Sequence, residues 1–156
     1  AESLAMYERE IAENDFETAI VMTRSGKSYR IRGRRSSVDI SALSEEELYK
    51  AVMTHNHPAG VTKYSFSAED ISNALEHRFA VLRGVDDEYE YEIRTLPNTI
   101  VKDADTVRYE FKNKYMREAL NEAWNRRLNM DTDGYHYACQ RMSEDHGFYY
   151  VRRKRK

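Results

Sequence analysis

The stretch that decides the fold runs from residue 51 to residue 85 and reads AVMTHNHPAGVTKYSFSAEDISNALEHRFAVLRGV. Its first apolar segment ends at Pro58, which is typical of a strand end because proline lacks the backbone donor that a sheet requires. Ser67 is a suitable helix N-cap, and apolar residues recur four positions apart after it, so a helix follows. The segment 81–85 predicts a second strand. A strand, a helix and a strand in this order indicate a mixed α/β or α+β fold.

Further elements extend this unit in both directions. Towards the N-terminus, an apolar run, a turn at Ser25–Lys27 and an alternating segment predict a hairpin over 18–34 with arginines on one face. Towards the C-terminus, a second hairpin over 81–94 precedes two helices, the first reaching about Met130 and the second ending at Gly147.

The chain therefore divides into three predicted parts. They are an N-terminal helix or linker (1–16), a core (17–97) that combines a mixed sheet with flanking helices, and a helical C-terminal extension with a basic tail (98–156). Residues 148–151 favour a terminal strand, and 152–156 are all basic. We expect that tail to be a solvated terminus rather than a nucleic-acid contact, because the whole chain carries a net charge of -2.

Composition limits the classes of function. A chain of 156 residues with 40% hydrophobic residues suits one folded domain. Apolar runs are much shorter than the roughly 18 to 20 residues of a membrane helix, and acids interrupt the segment where a signal peptide would be cationic and then apolar. We therefore expect a cytoplasmic protein with no membrane contact. Cys139 is the single cysteine, so any metal site must use histidine and carboxylate ligands.

The chemistry of the chain is concentrated around two histidines. His55 and His57 stand two apart in an extended segment, so both imidazoles project from the same face of the strand and can converge on one ion. Asp70, in the first turn of the following helix, can supply a third ligand. Such a site leaves a fourth position open for water, which distinguishes catalytic zinc sites from structural ones. Ser67 can then donate a hydrogen bond to an oxyanion, and a glutamate on a neighbouring strand can act as the base.

These motifs resemble a known family. His55-x-His57-Pro58 followed by Ser67-x-x-Asp70 resembles the JAMM motif of the JAB/MPN metalloproteases, which include isopeptidases and RadC-type relatives. HNHPAG, SFSAEDI and the later GFYYVR look like the JAB-like domains of phage head-morphogenesis (MuF-type) and polyvalent proteins. The loop between His57 and Ser67 is longer than the family's usual one, and this leaves Ser65 as a second candidate hydroxyl.

The resemblance implies a function and a set of roles. The implied fold is a JAB/MPN-like mixed sheet flanked by helices, to which this chain adds two C-terminal helices. The implied activity is zinc-dependent hydrolysis of a peptide or isopeptide bond in a protein substrate, such as a ubiquitin-like conjugate or a capsid-related protein. The implied zinc ligands are His55, His57 and Asp70. Ser67 is the implied oxyanion donor, and Glu17 is the implied acid/base, with Glu13 as a competing candidate.

Simpler interpretations stand beside this one. Ser67-x-x-Asp70 is also an ordinary capping box, which carries no chemistry. His55 and His57 are also compatible with ordinary histidines at a strand end. His77 lies in the last turn of the predicted helix, where a positive charge interacts favourably with the helix dipole. The alternative function is a non-catalytic phage- or virion-associated module, or a nucleic-acid-binding one that uses Arg30, Arg32 and Arg34 or the tail. A RadC-like role tied to DNA is a third hypothesis.

Overall fold

The computed structural model describes residues 2–35, 37–58 and 65–155, and it confirms the predicted α+β class. The elements in chain order are α1 (Glu2–Ile11), β1 (Thr18–Met22), β2 (Ser28–Arg32), α2 (Glu45–Leu48), β3 (Val52–Asn56), α3 (Ala68–Glu76), β4 (Val81–Val85), β5 (Tyr89–Arg94), α4 (Ala104–Glu110), a π-helical turn (Phe111–Tyr115), α5 (Met116–Asn125), α6 (Thr132–His146) and β6 (Tyr149–Lys154). Every helix in the described ranges is too short or too polar to cross a lipid bilayer.

A six-stranded mixed sheet organises the molecule, with the strand order β2-β1-β3-β4-β5-β6. Strands β3 and β4 are parallel and are joined through α3, whereas the other neighbouring pairs are antiparallel. The carboxyl end of β3, where the two histidines lie, is therefore flanked by β1 on one side and by β4 on the other.

The front face of the sheet carries the main core. Side chains alternate between faces along a strand, so Met53 of β3 and Leu82 of β4 point to the front. They belong to one buried cluster with Ile71 and Leu75 of α3 and Met142 of α6. Because α2 to α6 all contribute to this cluster, the segment predicted as a C-terminal extension shares its core with residues 17–97.

The back face is covered in part by α1, so the N-terminal segment predicted as a helix or a linker contains a helix. Ile11 and Ala12 form a small buried cluster with Val85. Glu8 receives two hydrogen bonds from the guanidinium of Arg83, at 2.6 and 3.1 Å, and one from the Thr54 hydroxyl at 3.0 Å. These bonds fasten α1 to β3 and β4.

Two local expectations are corrected. The long helix ends at Asn125 rather than near Met130, because the chain turns through Arg127, which adopts a left-handed conformation. The basic tail is a paired strand rather than a free terminus, because residues 152–154 belong to β6 and pair with β5, while Arg153 and Lys154 remain exposed to solvent. Arg152 makes an ion pair with Asp133 at 3.1 Å and lies over the ring of Tyr89, which offsets one of the positive charges of this strand.

Candidate metal centre

The carboxyl end of β3 and the start of β1 lie side by side. They place the side chains of Glu17, His55 and His57 on the front face. In the antiparallel register, Ala19 faces His55, so continuing that register by two residues puts Glu17 opposite His57. Alternation then directs the side chains of all three polar residues to the same face. All three are buried, His55 to within 1% of full burial.

A glycine makes room for the two imidazoles. Gly84 of β4 is the register partner of His55. A Cβ atom at position 84 would lie 3.3 Å from the Phe66 ring, 3.5 Å from the ring of His57 and 3.6 Å from that of His55. A Cβ atom there would be tight against Phe66 and in van der Waals contact with both histidines, which leaves no room for a side chain beyond it, and the strand carries glycine although glycine weakens strands.

Helix α3 brings a carboxylate to the same point. The Nε2 atoms of His55 and His57 are 3.0 Å apart, and Oδ2 of Asp70 lies 3.5 Å from the first and 3.9 Å from the second. Three ligands bound to one tetrahedral ion at about 2.0 to 2.1 Å would be about 3.3 Å from each other. The observed separations bracket this value, so these three donor atoms fit a single cation.

Glu17 lies beside the same point. One carboxylate oxygen of Glu17 and one ring nitrogen of each histidine are all within 4.8 Å of one another, a cluster that can hold a metal ion. Burial raises the pKa of Glu17 to about 7, and the charge of Asp70 raises it as well, although the charge of His55 acts in the opposite direction. Glu17 therefore exchanges its proton near neutral pH, which suits a general base.

The other charged groups of the cluster stabilise each other. Burial alone would raise the pKa of Asp70, but the charges of His55 and His57 and the hydrogen bond from the Ser67 backbone outweigh it and hold this pKa well below its usual range. Burial lowers the pKa of His55, but the Asp70 carboxylate outweighs this effect and the net shift is upward. Without a metal, the cluster thus contains an ionised carboxylate facing two imidazoles, and a cation bound to Nε2 of His55 would take the place of the proton that Asp70 favours there.

Ser67 does cap α3, as the simpler interpretation held. Its Oγ accepts a hydrogen bond from the Asp70 backbone at 3.1 Å, while Asp70 Oδ2 accepts one from the Ser67 backbone at 3.0 Å. The capping box and the metal-ligand geometry are compatible, because the same carboxylate oxygen meets both. Among the described residues, the Ser67 hydroxyl acts only as an acceptor, so its proton is available to a substrate.

Of the remaining candidates, Ser65 lines the same cavity as Glu17 and Ser67, but its hydroxyl is hydrogen-bonded to Tyr150 at 2.8 Å. Tyr150 is also bonded to His136. Glu13 is exposed and lies outside the cluster with the histidines. His77 ends α3 and pairs with Glu45 at 3.0 Å. Residues 59–64 of the long predicted loop lie outside the described residues.

A cavity of about 510 Å³ opens onto the cluster. Glu17, His57, Ser67 and Asp70 line it together with Ser37–Asp39, the segment that follows β2. Reactive groups at the wall of a concave site of this size are typical of ligand-binding and catalytic centres. Sequence reasoning did not single out Gly84, although a glycine within a strand pattern is a signal of close approach.

Comparison of the chain with family models, curated proteins and solved structures finds no match. The interpretation of the site therefore depends on its geometry and its charges.

Proposed function

We propose that this protein is a zinc-dependent metallo-(iso)peptidase that hydrolyses a peptide or isopeptide bond at the cluster of His55, His57 and Asp70. The observation that carries the proposal is the convergence of three donor atoms within 3.9 Å of one another beside a buried carboxyl group. This arrangement supports the JAMM-type assignment that the sequence motifs suggest.

The donor set favours zinc over other common cations. Two imidazoles and one carboxylate form the three-ligand set of catalytic zinc sites, whereas calcium and magnesium prefer oxygen ligands throughout. Zinc bound there would supply a Lewis acid for the scissile carbonyl and lower the pKa of water.

The protein groups then divide the proton transfers and the charge stabilisation. With a pKa of about 7, Glu17 accepts a proton from the attacking water and passes it to the leaving amine. The Ser67 hydroxyl donates a hydrogen bond to the oxygen that becomes negatively charged in the tetrahedral intermediate. Burial of Glu17 and the histidines excludes bulk water and strengthens these interactions.

The cavity of about 510 Å³ beside the histidines is consistent with binding of a short segment of a protein or peptide substrate. Ser37–Asp39, which follow β2, form part of its wall together with His57. A ubiquitin-like conjugate and a capsid-related protein are the two substrate classes that the sequence resemblance suggests, and both present such a segment.

Elemental analysis of the purified protein tests the proposal first. We expect about one zinc per chain, retained on gel filtration and removed by a chelator.

A substitution of one ligand tests the site itself. His55→Ala should not bind the metal, and it should hydrolyse neither a quenched fluorescent peptide library nor an isopeptide-linked ubiquitin dimer. His77→Ala is the matched control, because this histidine lies on α3 and outside the cluster, and it should keep both properties. Stoichiometric zinc in His55→Ala would refute the ligand assignment.

A further inference from the structure

Asn56, the residue between the two histidines, points away from them. Its side chain is fully buried and makes three hydrogen bonds to the backbone. Oδ1 accepts from the Thr18 N–H at 2.6 Å, and Nδ2 donates to the carbonyls of Phe16 at 2.9 Å and Asn14 at 3.4 Å. The two carbonyls belong to the segment that connects α1 to β1, and the N–H belongs to the first residue of β1.

The first two of these bonds lie on either side of Glu17. The Phe16 carbonyl immediately precedes Glu17, and the Thr18 N–H immediately follows it. The main-chain pairing between β1 and β3 ends at Ala19 and His55. At the next position, the Thr18 N–H donates to the side chain of Asn56 instead of to the main chain of β3. The peptide units around Glu17 are therefore attached to the strand that carries the histidines.

The opposite side of Glu17 is held by the two residues that follow β2. The Glu17 N–H donates to the Arg34 carbonyl at 2.7 Å, and the Glu17 carbonyl accepts from the Gly33 N–H at 2.7 Å. These bonds fix the Glu17 backbone to the chain beyond β2 but not to β3. The distance between the carboxylate of Glu17 and the histidines therefore depends on the contacts of Asn56.

We propose that Asn56 is a positioning residue that holds the backbone on both sides of Glu17 and so fixes its carboxylate against the metal ligands. This inference rests on the proposed function of Glu17 as the base. An asparagine suits the task, because one side chain presents an acceptor to Thr18 and donors to two carbonyls, which neither Asp nor Leu can do.

The first test needs no substrate and uses the wild-type protein. Amide hydrogen exchange, followed by NMR, should show the Thr18 amide as protected as that of Ile20 in the middle of β1. Exchange of Thr18 at the rate of a free loop amide in the folded protein would overturn the proposal. In Asn56→Ala, which removes the acceptor, protection of Thr18 should fall at least about tenfold while that of Ile20 is kept. In the isosteric Asn56→Asp, which keeps an acceptor oxygen but loses both donors, the fall should be smaller.

The second test is a double-mutant cycle with Glu17→Gln, measured on the fluorescent peptide library. We expect Asn56→Asp to lower kcat about 10- to 100-fold with the metal content unchanged. In the Glu17→Gln background the same change should have an effect of no more than about twofold, because the group it positions is already gone. A merely structural role would reduce kcat equally in both backgrounds, and that result would refute the proposal.

A matched control comes from the same segment. Asn14→Ala removes an amide whose one hydrogen bond within the described ranges goes to the Thr18 hydroxyl, at 3.2 Å, and it leaves the Asn14 carbonyl in place. It should keep the protection of the Thr18 amide and the value of kcat. The base assignment of Glu17 is tested independently of the Asn56 proposal. Full activity of Glu17→Gln would exclude Glu17 as the base, whatever the exchange rate of the Thr18 amide.

Discussion

Helices α2 and α3 begin with the same local structure and differ in what surrounds it. In α2, Ser44 and Glu47 exchange hydrogen bonds of 3.2 and 3.0 Å, and in α3, Ser67 and Asp70 exchange bonds of 3.1 and 3.0 Å. Both are complete capping boxes. By the local pattern alone the two helix starts are equivalent.

Their surroundings separate them. The Glu47 carboxylate is partly exposed and accepts a hydrogen bond from the Tyr29 hydroxyl, which lowers the pKa of Glu47. The Asp70 carboxylate instead faces the two buried imidazoles of His55 and His57. A capping box thus gains a chemical role only when the sheet presents ligands opposite it, and paired substitutions in the two boxes isolate that role.

We expect the largest difference, in metal content, between substitutions of the two capping acids, Asp70 and Glu47. Asp70→Asn keeps a side-chain oxygen for the Ser67 N–H, so α3 stays capped, but a neutral amide is a poor zinc ligand. Metal affinity should fall by more than the roughly 10- to 100-fold that is typical when a residue that only hydrogen-bonds to a metal ligand is replaced, and hydrolysis should be lost. Glu47→Gln should keep one zinc per chain by elemental analysis. Equal metal content in the two variants would show that Asp70 is not a ligand.

The two cap serines give the next difference. Ser44→Ala and Ser67→Ala should each lower the free energy of unfolding by about 1 kcal/mol, measured by urea denaturation, because each removes one N-cap. Ser67→Ala should also lower kcat by about 10²- to 10³-fold, the usual effect of removing an oxyanion donor. If both variants keep full activity, Ser67 is a cap and nothing more.

The pH dependence of the stability of the metal-free protein tests Glu17, the second carboxyl group of the site. The pKa of Glu17 is about 7 in the folded protein and near 4.5 in the unfolded chain, so its contribution to stability is complete below pH 4.5 and is lost as the pH rises through 7. The raised pKa of His55 acts in the same direction. The Asp70 contribution is constant here, because its lowered pKa matters only as the pH falls below about 4.

We therefore expect chelated protein to lose up to about 3 kcal/mol of stability between pH 5 and pH 8, measured by urea denaturation at each pH. Glu17→Gln should flatten this profile, and Glu13→Gln, an exposed acid of the same segment, should leave it unchanged. An identical slope in wild type and Glu17→Gln would mean that Glu17 is not the buried titrating group.

Much of this architecture follows from patterns within single segments. The capped start at Ser67, the stop at Pro58 and the left-handed Gly147 are local signals, and the elements that they delimit agree with the structure. The spacing of His55 and His57 likewise predicted imidazoles on the same face, and the structure places their Nε2 atoms 3.0 Å apart.

Features that depend on distant segments were not predictable in this way. The pairing of residues 152–154 with β5 depends on Asp133 and Tyr89, which offset the charge of Arg152. The part played by Asn56 depends on the register between β1 and β3, which no local pattern encodes.

The attachment of α1 across the back of the sheet has a practical consequence for anyone who shortens the chain. Glu8 provides Arg83 with two of its four carboxylate contacts, and the other two come from Glu90 and Glu92. Trimming the gene to start at β1 would strip that partner from a guanidinium at the centre of the sheet and free the segment leading to Glu17. An expression boundary placed ahead of α1 preserves both.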